Sequence, residues 1–343
     1  MLSVAPVRSA SGAANYFAKD DYYTADGSAE VSGWAGEGAD ELGLSGQVSK
    51  DAFEGVLNGR LPDGTMVGQV ENRQAGIDLT FSMPKSASVM AYVAGDKRVL
   101  DANMAAVKAT MKWVEANLAE GRKDVDGKKV PFRTGNLVYA LFQHDTSRAL
   151  DPQAHIHAVI ANLTRMADGK WQALHNGEIW RNNSVIGSIY HAFLRDGLEK
   201  LGYQLDMRGK HGTFEIAGVP KAVLEAFSQR REEILAKAGA LGITSPQGMR
   251  EVTTRTRDPK LHVDDRDDLR VGWKDKAASL GFDGKALLDA AVARAQRAEP
   301  GSALERGYRA VSDAISGAWE KLSQIVQPGD PLVDRGLAPQ LSP

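Results

Sequence analysis

Two apolar segments joined by a polar turn constrain the fold of this chain more than any other stretch. Residues 138–142 and 154–163 are rich in β-branched and other apolar side chains, which is typical of buried strands. Between them, Asp151 and Pro152 are turn-forming residues, so the two segments are predicted to pair as antiparallel neighbours. The sequence therefore predicts an antiparallel hairpin of two buried strands.

Three of the seven histidines belong to this hairpin and define a candidate metal site. Because side chains alternate across a strand, His155 and His157 are predicted to share one face, about 7 Å apart. His144 ends the partner strand and can reach the same face. Three imidazoles from two paired strands can cap a divalent metal and leave open coordination positions. Each histidine alone could be an ordinary strand residue, but the spacing of all three favours the metal site.

An aromatic cluster near the N-terminus supplies candidate nucleophiles. Tyr16, Phe17, Tyr22 and Tyr23 follow one another within a stretch of eight residues. These side chains could simply pack over the end of a sheet. Beside a metal-bearing face they become candidate nucleophiles, because the pKa of tyrosine, about 10, lies far closer to neutrality than that of serine.

A third strand, predicted over residues 76–82, carries a carboxylate. Its alternation places Ile77 and Phe81 on one side and Asp78 and Thr80 on the other. Asp78 could be a solvated residue on an edge strand, since a buried carboxylate without a partner is costly. The sharper hypothesis is that Asp78 accepts a hydrogen bond from a metal-bound imidazole and so fixes its tautomer.

The charge distribution permits a basic face. The net charge is −2, but residues 1–60 contribute −5, which leaves +3 for the remainder of the chain. Residues 121–150 carry six basic and three acidic side chains, and residues 205–260 carry ten and seven. This polarity permits such a face but does not establish it.

Several classes of protein are excluded or disfavoured. The chain has no cysteine, which excludes disulfides, iron–sulfur clusters and thiolate zinc sites. No P-loop motif is present, so P-loop nucleotide hydrolysis is not expected. Because no apolar run approaches the length of a membrane span and no signal peptide is evident, we predict a cytoplasmic protein without membrane insertion.

The remaining pattern predicts helices alternating with short strands and loops. A basic loop is predicted over residues 122–133, and a hairpin is predicted between residues 202–205 and 212–216. The predicted helices cover residues 9–16, 51–57, 97–119, 179–201, 220–235, 264–281, 284–297 and 301–326.

Several of these motifs together resemble one known family. His155-Ile-His157, the early tyrosines, Asp78-Leu-Thr-Phe-Ser and Gly209-Lys-His-Gly are similar to the relaxase domain of F-plasmid-type (MobF) conjugative relaxases, in the HUH endonuclease superfamily. The likeness runs from Met1 to roughly residue 295.

The resemblance implies an α+β fold and a division of the chain. A central antiparallel sheet, the palm, is expected to be flanked by helices. The relaxase domain is expected over residues 1–298, with helical fingers over about residues 219–298. A C-terminal helix and a flexible tail or linker stub are expected over residues 299–343.

The resemblance also implies a reaction and the residues that perform it. Tyr16 would nick one DNA strand at the plasmid origin of transfer, leaving a covalent 5′-phosphotyrosine and a free 3′-hydroxyl, and the strand would later be religated. Asp78 would position a histidine, and Tyr22 or Tyr23 would act in a second transesterification. The metal, Mg²⁺ or Mn²⁺, would be held by His144, His155 and His157, and DNA would be bound by Lys85, Arg148 and Lys210.

For a protein that binds single-stranded DNA, we predict a basic groove lined by residues 121–135 and 205–260. Bases are predicted to stack there on aromatic rings such as those of Trp171 or Tyr203.

Partners follow from the same resemblance. Single-stranded origin-of-transfer DNA, accessory proteins of the relaxosome and the coupling protein of a type IV secretion system are expected, with the protein in the donor cell or transferred with the DNA. The chain departs from the family at Phe17, where a second tyrosine is common. Large relatives continue into a helicase that these 343 residues do not include, and both an excised domain and a short natural relaxase stay open.

Three alternatives remain open at this level. The same three histidines could activate water in a metal-dependent hydrolase, with the tyrosines serving only for packing. A rolling-circle replication initiator would share the tyrosine chemistry. A DNA-binding module with a vestigial metal site would bind DNA without cleaving it.

Overall fold

A five-stranded antiparallel sheet forms the centre of the protein, and the predicted hairpin lies inside it. The computed structural model describes residues 2–18, 32–68, 73–208, 212–245, 248–249, 251–252 and 266–297. Its strands are β1 (Leu2–Val7), β2 (Ser32–Ala35), β3 (Gly76–Ser82), β4 (Glu120–Val125), β5 (Lys128–Arg133), β6 (Tyr139–Thr146), β7 (Pro152–Ala161), β8 (Thr164–Arg165), β9 (Trp171–Gln172), β10 (Leu205–Arg208) and β11 (Thr213–Ile216). The central sheet has the order β1–β3–β7–β6–β2, and all of its neighbouring pairs are antiparallel.

Helices flank this sheet, as expected for the predicted α+β fold. They are α1 (Ala10–Ala18), α2 (Glu37–Glu41), α3 (Lys50–Leu57), α4 (Lys85–Tyr92), α5 (Arg98–Leu118), α6 (Gly177–Arg181), α7 (Asn183–Lys200), α8 (Lys221–Ala226), α9 (Gln229–Ala240), α10 (Arg266–Ser279) and α11 (Gly284–Arg297). The antiparallel palm and its flanking helices are therefore confirmed. Residues 298–343, where a further helix and a tail are predicted, lie outside the described residues.

Alternation along the strands divides the apolar side chains between two cores. On one face of the sheet, Leu79, Phe81 and Ile156 are fully buried in the core that includes residues of α5 and α7. On the other face, Phe142 packs with the buried residues of α1 and α3. Burying one such side chain contributes roughly 1.5–3 kcal/mol, so both faces require a helical cover.

The structure corrects three predicted elements and adds one strand. The predicted basic loop is the two-stranded ribbon β4–β5, which turns at Asp126 and Gly127, both with positive φ. Strand β2 was not predicted at all. The helix predicted over residues 220–235 is divided into α8 and α9, and the one predicted over residues 179–201 is divided into α6 and α7.

The length and apolar character of the helices bear on membrane insertion. A span requires about 20 consecutive apolar residues. Among the residues that the structure describes, no helix combines that length with sufficient apolar character.

One buried carboxylate joins the helical layer to the start of β6. Glu115 of α5 is 6% exposed, and its Oε1 accepts hydrogen bonds from the backbone N–H groups of Glu37 (2.9 Å) and Leu137 (2.7 Å). Burial raises the pKa of Glu115 to about 7, because desolvation outweighs these two hydrogen bonds, and the negative charges of Glu37 and Asp40 add to the rise. The protonated form of this side chain is therefore favoured in the folded protein.

We expect Glu115→Gln to remove a pH-dependent loss of stability. The pKa of Glu115 is raised in the folded state. The protonated side chain therefore adds fully to the unfolding free energy below the unfolded pKa of 4.5, and this contribution is lost as the pH rises through about 7. The loss of unfolding free energy due to Glu115 amounts to roughly 3 kcal/mol at most. A glutamine does not ionise, and its Oε1 can still accept both backbone hydrogen bonds. Urea unfolding at pH 5 and pH 8 should show a smaller drop in unfolding free energy for the variant; an equal drop in both proteins would contradict the assignment.

Candidate active site and metal centre

The register of β6 and β7 brings the three predicted histidines together. His144 lies directly opposite His155, and His157 is two residues further along β7 on the same face. The ring centroids are 4.8 Å apart for His144 and His155, 4.6 Å for His144 and His157, and 5.3 Å for His155 and His157. His144 is thus part of the strand ladder and does not have to swing onto the shared face.

Two of the imidazoles have their tautomers set by hydrogen bonds. His157 Nδ1 is 2.7 Å from Asp78 Oδ2, and His155 Nδ1 is 2.9 Å from the carbonyl oxygen of Gln153. A carbonyl or an ionised carboxylate can only accept, so Nδ1 carries the proton in both rings and Nε2 carries the lone pair. The hydrogen bond predicted between Asp78 and an imidazole is present. The alternative prediction, that Asp78 lies on an edge strand, is wrong because β3 lies between β1 and β7.

The triad fits a metal ion by its donor chemistry. One ligand nitrogen from each of the three histidines can be chosen so that all lie within 4.8 Å of one another. Among the described residues, the Nε2 atom of His157 is buried and has no hydrogen-bond partner. A buried lone pair without a donor is unfavourable unless something coordinates it. The three histidines are therefore suited to hold a divalent cation, with the Asp78 carboxylate behind one of them.

Tyr16 lies over the triad at the end of α1. Its ring is stacked on His144 with a centroid distance of 5.9 Å, and it is 6.2 Å from His157 in an edge-to-face arrangement. The side chain is 37% exposed, so the phenol is accessible from solvent. A candidate nucleophile and a candidate metal site therefore share one face of the sheet.

Phe17, the departure from the family pattern, packs in the aromatic core beside the triad, with ring centroids 5.8 Å from His144 and 5.5 Å from His157. Its ring is 3% exposed and is stacked on Phe142 of β6 at 3.9 Å, with Phe53 of α3 at 5.9 Å. A phenol here would bury a hydroxyl in an aromatic core, which is costly without a partner. Phe17 fixes α1 on the sheet, and this contact orients the neighbouring Tyr16.

Of the other predicted site residues, the structure describes Lys85 and Arg148. Tyr22, Tyr23 and Lys210 lie outside the described residues. Arg148 lies in the turn between β6 and β7 and is partly exposed. Lys85 donates to the carbonyl oxygen of Pro152 at 2.9 Å, and burial lowers its pKa to about 8 despite the nearby negative charges of Asp151 and Glu215. Its contact with DNA stays a prediction.

Of the two aromatic rings predicted to stack on DNA bases, the prediction for Tyr203 is wrong. Tyr203 is 3% exposed and its hydroxyl donates to Asp96 Oδ2 at 2.7 Å, so the ring belongs to the core and cannot receive a base. Trp171 of β9 is partly buried against the core on the triad's side of the sheet.

Sequence reasoning missed Thr80 as a member of the site. Its Oγ1 is 3.2 Å from His157 Nδ1 and 3.5 Å from both carboxylate oxygens of Asp78. The signal was available in the alternation of β3, which places Thr80 on the same face as Asp78. Thr80 lies directly opposite His157 in the β3–β7 register.

Known proteins share this arrangement of sequence and fold. A sequence model of the TrwC relaxase family matches residues 10–280. The chain is 41% identical over 346 residues to the multifunctional conjugation protein TraI of Escherichia coli, covering 95% of this chain and 19% of that protein. TraI of Escherichia coli strain K12 is also 41% identical, over 345 residues. The chain thus spans about a fifth of the length of these curated relatives.

Solved structures with a similar fold contain DNA, and some contain metal. The conjugative relaxase TrwC in complex with oriT DNA, in a copper-bound form, has a TM-score of 0.76 and 40% identity, covering 83% of this chain and all of that chain. TrwC with a 27-mer DNA comprising the recognition hairpin and the cleavage site has a TM-score of 0.74 and 38% identity, with the same coverage. A further metal-bound structure of TrwC with oriT DNA has a TM-score of 0.76 and 39% identity, again with the same coverage.

We expect Asp78→Asn to weaken metal binding on the order of tenfold. An asparagine can donate to Nδ1 and so favour the tautomer that places the proton on Nε2 of His157, where the lone pair is needed. The measurement is a calorimetric titration with Mn²⁺ or Co²⁺. Asp275→Asn, an exposed site on α10, is the matched control; equal affinities of the two variants would refute the role of Asp78.

Proposed function

Since this chain belongs to the TrwC relaxase family, we propose that it nicks one DNA strand at a plasmid origin of transfer by tyrosine transesterification and later rejoins it. The observation that carries the proposal is the position of Tyr16, which is exposed and stacked on His144 beside three converging imidazoles. A phenol beside a site suited to a cation can be activated as a nucleophile at moderate pH.

In the proposed reaction, the phenolic oxygen of Tyr16 attacks the scissile phosphorus. A bond forms between Oη and phosphorus, and the bond from phosphorus to the 3′-oxygen breaks. The phenol loses its proton and the departing 3′-oxygen gains one, which leaves a 3′-hydroxyl and a 5′-phosphotyrosine. The reverse attack by a 3′-hydroxyl reseals the strand without an external energy source, because one phosphodiester bond replaces another.

The chain's own residues hold and orient the reacting groups. His144, His155 and His157 would hold the metal, which we propose is Mg²⁺ or Mn²⁺, although imidazole ligands alone favour softer ions. When bound, a divalent cation there would polarise a phosphate oxygen and stabilise the charge that develops on it. Asp78 and Thr80 keep the His157 ring in its coordinating tautomer.

A second transesterification is proposed for Tyr22 or Tyr23. Phe17 cannot supply a second phenol, and its buried packing against Phe142 excludes it from the exposed face. The family pattern assigns the end of transfer to a later tyrosine, and Tyr22 and Tyr23 are the next two tyrosines after Tyr16 in this sequence.

A basic surface is proposed to bind the DNA backbone. The ribbon β4–β5 exposes Lys123, Lys128 and Lys129, and Lys123 lies over the ring of Phe132 at 3.6 Å. Arg148, in the turn beside the triad, is proposed to contact DNA as well, and so is Lys210 on the family pattern. Cationic side chains that track phosphates give affinity without reading the sequence.

The wider setting is proposed from the family. The partners would be accessory proteins of the relaxosome and the coupling protein of a type IV secretion system. The reaction would take place in the cytoplasm of the donor bacterium, where the plasmid is, and the protein could then travel with the DNA.

Tyr16→Phe should abolish the covalent adduct. With the nucleophilic oxygen removed, we expect nicking of single-stranded origin-of-transfer oligonucleotides to fall at least about a thousandfold, with no protein–DNA band on a denaturing gel. Tyr139→Phe is the control, because it removes a phenol from the opposite face of the sheet. Cleavage that persists in Tyr16→Phe would favour the hydrolase alternative, in which water attacks.

Lys128→Ala should weaken DNA binding in a salt-dependent way. If Lys128 neutralises one phosphate, the slope of log affinity against log salt should fall by about 0.7 for single-stranded DNA or 0.9 for duplex DNA. Fluorescence anisotropy with a labelled oligonucleotide at several salt concentrations provides the slope. Lys112→Ala, an exposed lysine of α5, is the control. Identical slopes for the two variants would exclude the ribbon from the interface.

A further inference from the structure

The turn that joins β6 to β7 connects the histidine triad to the helices that follow β11 in the chain. With the last two residues of β6 it forms a turn segment, residues 145–151, that follows His144 directly and ends four residues before His155. A displacement of this turn would act first on the adjoining ends of β6 and β7, which carry His144 and His155. The contacts that hold the turn therefore decide how accurately the triad is arranged.

The turn closes on itself through Ser147. The Ser147 backbone N–H donates to the Asp151 carbonyl oxygen at 2.9 Å, and Ser147 Oγ accepts from the Asp151 N–H at 3.1 Å. Leu150 has a φ of 58°, in the left-handed region that a branched side chain rarely adopts. The β6–β7 register is also irregular between His144 and Thr146. Such a conformation persists only where surrounding contacts hold it.

The first external contact is made by the start of α9. The buried carboxylate of Asp151 accepts the Gln229 backbone N–H at 2.9 Å through Oδ2 and the Gln229 side-chain Nε2 at 2.8 Å through Oδ1. A carboxylate from the turn thus caps the N-terminus of α9, where backbone donors have no partner within the helix.

Two further contacts come from α10. The indole N–H of Trp273, whose side chain is 5% exposed, donates to the Leu150 carbonyl oxygen at 2.9 Å. Arg266 donates to Asp145 Oδ2 at 2.9 Å, immediately next to His144 in sequence. Three separate points of the turn are therefore held by two helices that are distant from it in sequence.

We propose that Gln229 is a positioning residue for the metal triad, acting through Asp151 to hold the β6–β7 turn in the arrangement that coordinates metal. By this coupling, α9 and α10 set the affinity of the triad for a cation. Metal affinity depends on ligand placement to a fraction of an ångström, and partners behind the ligands commonly change it by 10–100-fold. The inference rests on the proposed metal site but not on DNA cleavage.

Gln229→Glu is the most selective test. The substitution keeps the size of the side chain and favours the N-terminus of α9, but it places two carboxylates against each other. Titration of the full chain with Co²⁺, followed by visible absorption, reports both affinity and coordination geometry. We expect a loss of Co²⁺ affinity of about 5–10-fold with a changed spectrum. Gln204→Glu, the same change at another exposed glutamine, is the control and should bind as the original protein does.

A compensating exchange distinguishes positioning from a general loss of structure. In the double variant Asp151→Asn with Gln229→Glu, the asparagine amide can donate to the glutamate, and its oxygen can accept the backbone N–H of residue 229. The net charge is unchanged from the original chain. We expect Co²⁺ affinity and the absorption spectrum to return to within about twofold of the original protein.

Two results would overturn the proposal. If Gln229→Glu and Gln204→Glu have the same Co²⁺ affinity and the same spectrum, the contact between Gln229 and Asp151 does not position the triad. Co²⁺ binding that survives His155→Ala would show that the ion is not at the triad. Failure of the proposed function is a separate outcome. If the protein binds Co²⁺ at the triad but forms no covalent DNA adduct, the nicking proposal fails and the positioning role of Gln229 still stands.

Discussion

The register of β6 against β7 is the constraint on which the site depends. Pairing His144 with His155 places all three imidazoles on one face, and the same register aligns β3 so that Asp78 reaches His157. Because side chains alternate along a strand, a slip of one residue in β7 would send His155 and His157 into the apolar core on the other face. Burial of Ile156 and Phe142 on opposite faces opposes that slip energetically.

Local patterns predicted the elements whose own residues specify them, and they failed where distant contacts decide. The alternation of β3 and the histidine spacing in β7 are local, so Asp78 and the triad could be predicted. Strand β2 has only four residues and is held by pairing with β6, which no local signal reveals. The helix predicted over residues 220–235 is interrupted because Asp151, far away in sequence, caps a new helix at Gln229. Tyr203 shows that a sequence cannot tell a buried ring from an exposed one.

Two adjacent residues of α1, Tyr16 and Phe17, differ in exposure and in packing. Successive side chains on a helix point about 100° apart, so Phe17 can enter the aromatic core while Tyr16 faces the triad. The packing of Phe17 therefore gives the phenol a defined position without burying it. Phe17 also contacts His144 and His157, at ring-centroid distances of 5.8 and 5.5 Å, so both neighbours border the triad, one buried and one exposed.

The order of strands in the sheet also bears on how the protein is made. Strands β1 and β3 are early in the chain, but the pair β6–β7 that completes their sheet lies between residues 139 and 161. On the ribosome, where the N-terminal part emerges first, β1 and β3 can pair only with each other until β7 has been synthesised. The helix that carries Tyr16 then has no finished sheet to dock on. The Tyr16 ring thus meets both His144 and His157 only once synthesis has passed residue 157.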